Sequence, residues 1–177
     1  METLYILPLG DIDKDSLRRL GSGIKDILPL SIRVLDKTDL PAHTYNKARQ
    51  QYNSSQIIRE MSLYDFGSVN KVLGVSVADL YSTDLSFVFG EAEAPGRTAL
   101  ISLKRLDPQF YKQETDNKVL EVRTLKEAMH ELGHTYSLSH CPDKGCVMYY
   151  AQSIEDVDNK GDIFCPRCQK LYEMYNS

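Results

Sequence analysis

Residues 130 to 141 read HELGHTYSLSHC and hold three of the chain's four histidines. His130 and His134 are four apart, so on a helix their imidazoles lie one turn apart on one face and can grip a single ion. Glu131 stands between them, where its carboxylate can reach a water on that ion without being a ligand itself. This is the HExxH pattern, and its chemistry is zinc-dependent hydrolysis. Zinc takes imidazole nitrogen at about 2.0–2.1 Å, and three protein ligands leave a fourth tetrahedral position for water, whose pKa falls to about 7. His140 can be the third ligand only if the chain turns out of the helix after His134. A lone histidine on a helix is more often a satisfied core residue, but three at this spacing with Glu131 in place point to metal. The remaining one, His43, sits in the polar loop PAHTYN and reads as a surface residue.

The cysteines follow at once, as Cys141, Cys146, Cys165 and Cys168 in the pattern C-x4-C-x18-C-x2-C. CPRC is half of a zinc knuckle and CPDKGC a looser half, with proline and glycine turning the chain so that both thiolates face one ion. The segment after residue 140 is too poor in aliphatic side chains to make its own core, so a closed structural zinc is expected to stabilise it. Two disulfides would want a secretion signal. A nucleic-acid-binding ribbon would want a basic surface, and only Lys160, Arg167 and Lys170 answer from residue 150 onward. The expectation is two zincs per chain, one catalytic and one structural, with Cys141 placing the second site where the first ends.

A chain of 177 residues, 42% hydrophobic, has enough material for one sizeable core and no large second domain. The formal charge of −4 comes from 21 basic and 25 acidic residues that are interspersed rather than blocked, which argues against nucleic acid or an anionic membrane as the main partner. The start, METLYILPLGDIDKDS, lacks a basic region and a small-residue cleavage site, and no run approaches the roughly 20 apolar residues of a membrane span. The reading is a cytoplasmic protein, a monomer, acting on a peptide or protein.

The elements that must position these residues are read from periodicity. TLYILPL predicts a strand, and Leu17, Leu20, Ile24, Ile27 and Leu28 a helix after it. LSIRVLD predicts a second strand, and a helix is expected from about Ala48 to Leu63, carrying Ile57, Ile58 and Met61. Residues 72–80, residues 85–92 and TALISL predict further strands, with APGR as a turn. Leu125, Ala128, Met129 and Leu132 then mark a long helix, capped by Asp116 or Asn117, that carries the first two histidines. The order implies an α/β fold with a mainly parallel sheet and one antiparallel edge strand.

HELGHTYSLSH resembles the extended metzincin motif HExxHxxGxxH, in which a glycine lets the chain leave the active-site helix. Here Ser137 stands in the glycine position, where left-handed backbone angles would strain a serine by about 1 kcal/mol or somewhat more. With the following cysteine, C-x4-C-x-M and the terminal CxxC, residues 130 to 168 are similar to the archaemetzincins. That resemblance implies a metzincin-like twisted sheet with an antiparallel edge strand along the cleft, against which a peptide lies extended, a long active-site helix and a small zinc-bound C-terminal subdomain. It divides the chain into residues 1–140, with the active-site helix, and residues 141–177, with the structural zinc, in one compact catalytic domain. It assigns Met148, in CVMYY, to the Met-turn beneath the zinc histidines. Tyr150, where some other metzincins place an assisting tyrosine, is read here as packing.

The function expected is a zinc metallopeptidase, of aminopeptidase type in some relatives, with His130, His134 and His140 on the catalytic zinc and Glu131 as general base. The alternative is a catalytically near-silent, zinc-dependent peptide-binding or regulatory protein, motivated by Ser137, which would arise if His140 were displaced from the metal.

Overall fold

The computed structural model describes residues 2–67 and 70–176. Strand β1 (Thr3–Leu9) is buried on both sides, with Leu4 and Ile6 facing one way and Leu7 and Leu9 joining a second cluster. That double burial is why its sequence is a near-continuous apolar run. Helix α1 (Lys14–Ile27) begins where the Asp13 carboxylate accepts the Ser16 N–H at 2.8 Å, and it buries Leu17, Leu20 and Ile24. Strand β2 (Ser31–Val34) returns parallel to β1.

Two short strands, β3 (Tyr45–Asn46) and β4 (Gln51–Asn53), precede helix α2 (Ser54–Ser62). Strands β5 (Lys71–Ser76), β6 (Leu80–Tyr81), β7 (Gly90–Ala92) and β8 (Thr98–Ser102) follow. The long helix α3 (Asn117–Thr135) and the shorter α4 (Ile154–Asn159) and α5 (Pro166–Tyr175) complete the chain.

The main sheet has the order β2-β1-β5-β8-β7, parallel throughout except for β7, which runs antiparallel to β8 at the edge. Helices α1 and α3 cover one face, around Leu73, Ala99, Ile101, Met129 and Leu132; α2 covers the other, around Val72, Leu100, Ile57 and Met61. The mainly parallel sheet with one antiparallel edge is as the periodicity implies.

Three boundaries differ from expectation. The helix expected from Ala48 starts at Ser54, because Gln50 takes a positive φ of 55° and Gln51–Asn53 pair as a strand with β6. Asn53 then caps α2 by accepting the Gln56 N–H at 3.0 Å. The strand expected over residues 72–80 divides into β5 and β6, and that expected over residues 85–92 shortens to β7. Val88 N–H still bonds to Leu80 O at 3.0 Å, and Arg105, paired with Asp79, lies 4.3 Å over the Phe87 ring.

The tail does not stand apart. Cys141, Cys146, Val147, Met148, Phe164, Cys168 and Tyr172 lie in the same buried cluster as Leu4, Ile6 and Met129. Helix α4, whose capping box at Ser153 and Asp156 the periodicity had not revealed, is clamped to α3. Arg123 donates two bonds of 2.7 Å to the Asp158 carboxylate, and Lys126 donates to the Val157 and Asp158 carbonyls.

Candidate metal centres and the cleft

Helix α3 is aimed by its apolar face: Ala128, Met129 and Leu132 are buried against the sheet, and Asp116 caps the N-terminus by accepting the N–H groups of Lys118 and Val119. The neighbouring flank carries His130, Glu131 and His134 toward the β7 edge.

The helix ends in a Schellman motif. Leu138 N–H bonds back to Gly133 O and Ser137 N–H to His134 O, each at 3.0 Å, and Ser137 sits at φ 69° in the left-handed region. Glycine normally occupies that position. Serine is held there by the two bonds and by buried Leu138, so the turn expected of a glycine is made without one. His140 therefore comes back beside the helix rather than being displaced.

The Nε2 of His134 lies 3.2 Å from the Nε2 of His130 and 3.2 Å from that of His140. Nitrogens bound tetrahedrally to zinc at about 2.0–2.1 Å sit about 3.3–3.4 Å apart, so this spacing fits one ion. The opposite nitrogens settle which lone pairs face inward. His130 Nδ1 donates to Val147 O and His134 Nδ1 to Leu138 O, both at 2.8 Å. Such bonds put the proton on Nδ1 and leave Nε2 as a bare acceptor. Two acceptors pressed together cannot hydrogen-bond to each other; they need a cation between them. Burial, reinforced by the Lys160 ammonium, holds His130 well below the usual imidazole range, and burial lowers His134 and His140 as well. Neutral imidazole is the form a metal requires.

Glu131 is buried next to this trio. Burial pushes its carboxyl well above the usual range, the Glu127 carboxylate one turn earlier pushes the same way, and Lys160 opposes both. Lys160 caps α4 and is itself buried at 3% exposure, with Nζ 3.5 Å from Glu127. A β-carbon on Gly90 would lie 2.7 Å from Glu131 Cγ and 2.8 Å from the Leu100 carbonyl oxygen, so only glycine lets the edge strand come this close. Beneath the helix, a β-carbon on Gly133 would come within 2.3 Å of Met148 Sδ. Met148 is thus packed directly on the helix backbone under the histidines.

These groups line a cleft of about 570 Å³ walled by residues 82–92 on one side and by Tyr150, Ala151 and Gln152 on the other. Tyr150 packs with its ring stacked on His140, centroids 4.7 Å apart, and is 40% exposed to the cleft. His43 is at the surface as expected, 3.4 Å from Glu60 and away from the cleft. Lys160 and Glu127 were not singled out by sequence. Their only signal was a charged pair at helix-facing positions of two elements whose packing periodicity does not reveal.

The four cysteine Sγ atoms lie within 4.8 Å of one another, and Cys141 Sγ is 3.9 Å from Cys165 Sγ. Sulfurs bound tetrahedrally to zinc at about 2.3 Å sit about 3.8 Å apart, whereas a disulfide needs about 2.05 Å. Cys165 N–H donates to Cys146 Sγ at 3.3 Å, and Cys141 N–H to Met148 O at 2.9 Å, which ties this cluster to the Met-turn. Burial pushes the Cys146 and Cys168 thiols up.

Comparison with known proteins agrees with this geometry. The sequence model of peptidase family M54 matches residues 19–174. The chain is similar to an archaemetzincin of Methanocaldococcus jannaschii, 42% identical over 167 residues that cover 94% of this chain and 90% of that one. Crystal structures of archaemetzincins from Methanopyrus kandleri and from Archaeoglobus fulgidus, the latter complexed with malonate, superpose with TM-scores of 0.87 and 0.83. Both are 34% identical; the first alignment covers 99% of this chain and 95% of that one, the second 96% and 99%.

Proposed function

Because the chain belongs to peptidase family M54, the archaemetzincins, and is therefore a zinc-dependent metallopeptidase, we propose that His130, His134 and His140 hold its catalytic zinc and Glu131 is its general base. The observation that carries this reading is the convergence of Nε2 atoms 3.2 Å apart, with the Nδ1 atoms of His130 and His134 already bonded to carbonyls. Zinc bound there supplies Lewis acidity, lowering the pKa of a water to about 7 and polarising a substrate carbonyl. The Glu131 carboxylate accepts the proton of the attacking water and returns it to the departing amine, so that one carboxyl serves both halves of the reaction.

The free edge of β7 offers main-chain groups to an extended peptide, as in β-strand addition. Met148, wedged under the helix by Gly133, keeps His130 and His134 at a fixed height. Cys141, Cys146, Cys165 and Cys168 form a second, closed zinc site that fixes residues 141–177, and through Val147 O it holds the His130 ring in place. The division at residue 140 is one of tasks within a single core. Among the described residues no helix is long and apolar enough to cross a membrane, and the enzyme is read as acting on peptides.

The test is zinc content and cleavage of a mixed peptide library, for wild type, His140→Ala and Glu131→Ala. Two zincs and cleavage are expected in wild type, two zincs without cleavage in Glu131→Ala, and loss of cleavage in His140→Ala. Wild-type turnover persisting in Glu131→Ala would remove Glu131 from the mechanism.

A further inference from the structure

The edge strand that borders the zinc site has two faces, and they differ in chemistry. Gly90 and Ala92 turn toward α3, the first against Glu131 and the second into the core. Glu91, between them and opposite Leu100, turns to the α2 face. There its carboxylate accepts a hydrogen bond from Ser55 Oγ at 2.7 Å and a second from Ser54 Oγ, at the start of α2. These hydroxyls fix the carboxylate without neutralising it. No lysine, arginine or histidine among the described residues pairs with Glu91, although it lines the cleft. Lys160, the basic residue in the cleft lining, is committed to Glu127.

The register of β7 says what would meet this carboxylate. Ser102 N–H bonds to Phe89 O at 2.8 Å and Glu93 N–H to Thr98 O at 2.9 Å, which marks the hydrogen-bonded pairs of the ladder. By antiparallel alternation the peptide groups of Glu91 face β8, and those of Gly90 and Ala92 face the free edge. A peptide added antiparallel to that edge bonds to Gly90 and Ala92. Its residue opposite Glu91 then falls in the pair without hydrogen bonds, where the Cα atoms approach to about 4.5 Å and side chains are closest. That side chain projects to the α2 face, toward the Glu91 carboxylate, while its neighbours project to the zinc face.

We propose that Glu91 is a specificity-determining residue: held by Ser54 and Ser55 on the cleft edge, it selects a lysine or arginine side chain at one fixed substrate position. This rests on the reading of the β7 edge as the substrate path and adds the charge recognised there. A cross-strand pair of opposite charge is expected to favour lysine over uncharged norleucine by about two- to fivefold, less at high salt.

The experiment uses peptides acetylated and amidated at their ends, so that the varied side chain supplies the charge, with lysine or norleucine scanned through each position. Cleavage by the zinc-loaded wild type and Glu91→Gln gives the lysine-to-norleucine ratio of kcat/KM. The Kd ratio is measured in parallel on zinc-loaded Glu131→Ala and on Glu131→Ala/Glu91→Gln. The expected result is a lysine preference at a single position that falls to near unity with Glu91→Gln in both readouts. Cleavage with equal ratios in wild type and Glu91→Gln would overturn the subsite and leave the peptidase reading intact. A Glu91-dependent Kd ratio without any wild-type cleavage, of these peptides or of the same peptides with free N-termini, would uphold the subsite and overturn the assignment of the reaction.

Discussion

The two metal-ligating clusters are built from neighbouring residues and are open to different degrees. The histidine cluster has three donors, one of them, His140, exposed, and it faces a cleft with Glu131 at its side. The cysteine cluster has four donors, three of them buried, packed under Phe164 and Tyr172 in the main core. Three neutral donors leave a coordination position and a net positive charge for chemistry. Four thiolates on one zinc would fill the tetrahedron and leave nothing to react. On the proposed assignment, adjacent sequence divides into a reactive site and a clamp, and the residue after Cys146 supplies the Val147 carbonyl that accepts from His130 Nδ1.

The largest effect expected separates the two directly. Cys146→Ser should destabilise the protein by several kcal/mol, because binding of a structural zinc is folding free energy. At about 2–4 °C per kcal/mol for a chain of this size, melting should fall by roughly 10 °C or more, with loss of the histidine-bound zinc as well. His134→Ala should lose one zinc and all activity yet keep most of its melting temperature. If the two variants melted alike, the division into site and clamp would be wrong.

Within the open site, Glu131→Gln should retain both zincs and lower kcat by about 10²- to 10⁴-fold, the usual contribution of general acid–base catalysis. Metal analysis beside steady-state kinetics checks both halves. Gly90→Ala drives a methyl group into Glu131 and the Leu100 carbonyl, a strain of about 1–3 kcal/mol. Its kcat should fall while the cysteine-bound zinc stays in place, which metal content after chelation of the exposed site would report.

Acid should act on the open site. His130 is held below its ordinary value of 6.5, so below that pH the unfolded chain binds a proton that the folded chain refuses, and stability drops as pH falls. For the protein stripped of its histidine-bound zinc, the loss between pH 6.5 and 5.5 should be about 1 kcal/mol from this residue. Denaturant titrations of the stripped Glu131→Gln variant at the two pH values measure it, because the raised carboxyl of Glu131 acts with the opposite sign in wild type; greater stability of that variant at pH 5.5 would reverse the sign. The smallest change is Ser137→Gly, which relieves the left-handed serine at φ 69°. It should raise stability by about 1 kcal/mol, or a few degrees of melting temperature, without altering kcat.

Both clusters were readable from spacing, since residues four apart on a helix share a face and CxxC pairs share a turn. Fold class was readable as well, because doubly buried strands such as β1 and the periodic face of α3 are written in local pattern. The start of α2 was not: a run that scans as helix from Ala48 is overridden by Gln51–Asn53 pairing with Leu80 and Tyr81, residues nearly thirty positions away. The partner of Tyr150 was hidden for the same reason, since its place on the His140 ring depends on how the chain returns from Met148.

By itself, then, the sequence determined the donors, their order along the chain and the helix that spaces the first two. Those are local properties, set by residue type and the pitch of a helix. Tertiary structure decided that Ser137 can stand where glycine is usual, because Leu138 and two hydrogen bonds hold the turn. It also decided that Lys160 and Glu127 are buried next to Glu131, and that Glu91 faces the cleft with no cation paired to it among the described residues. Each of these depends on which distant backbone comes near, and that is set by the packing of sheet, helix and tail around one shared core.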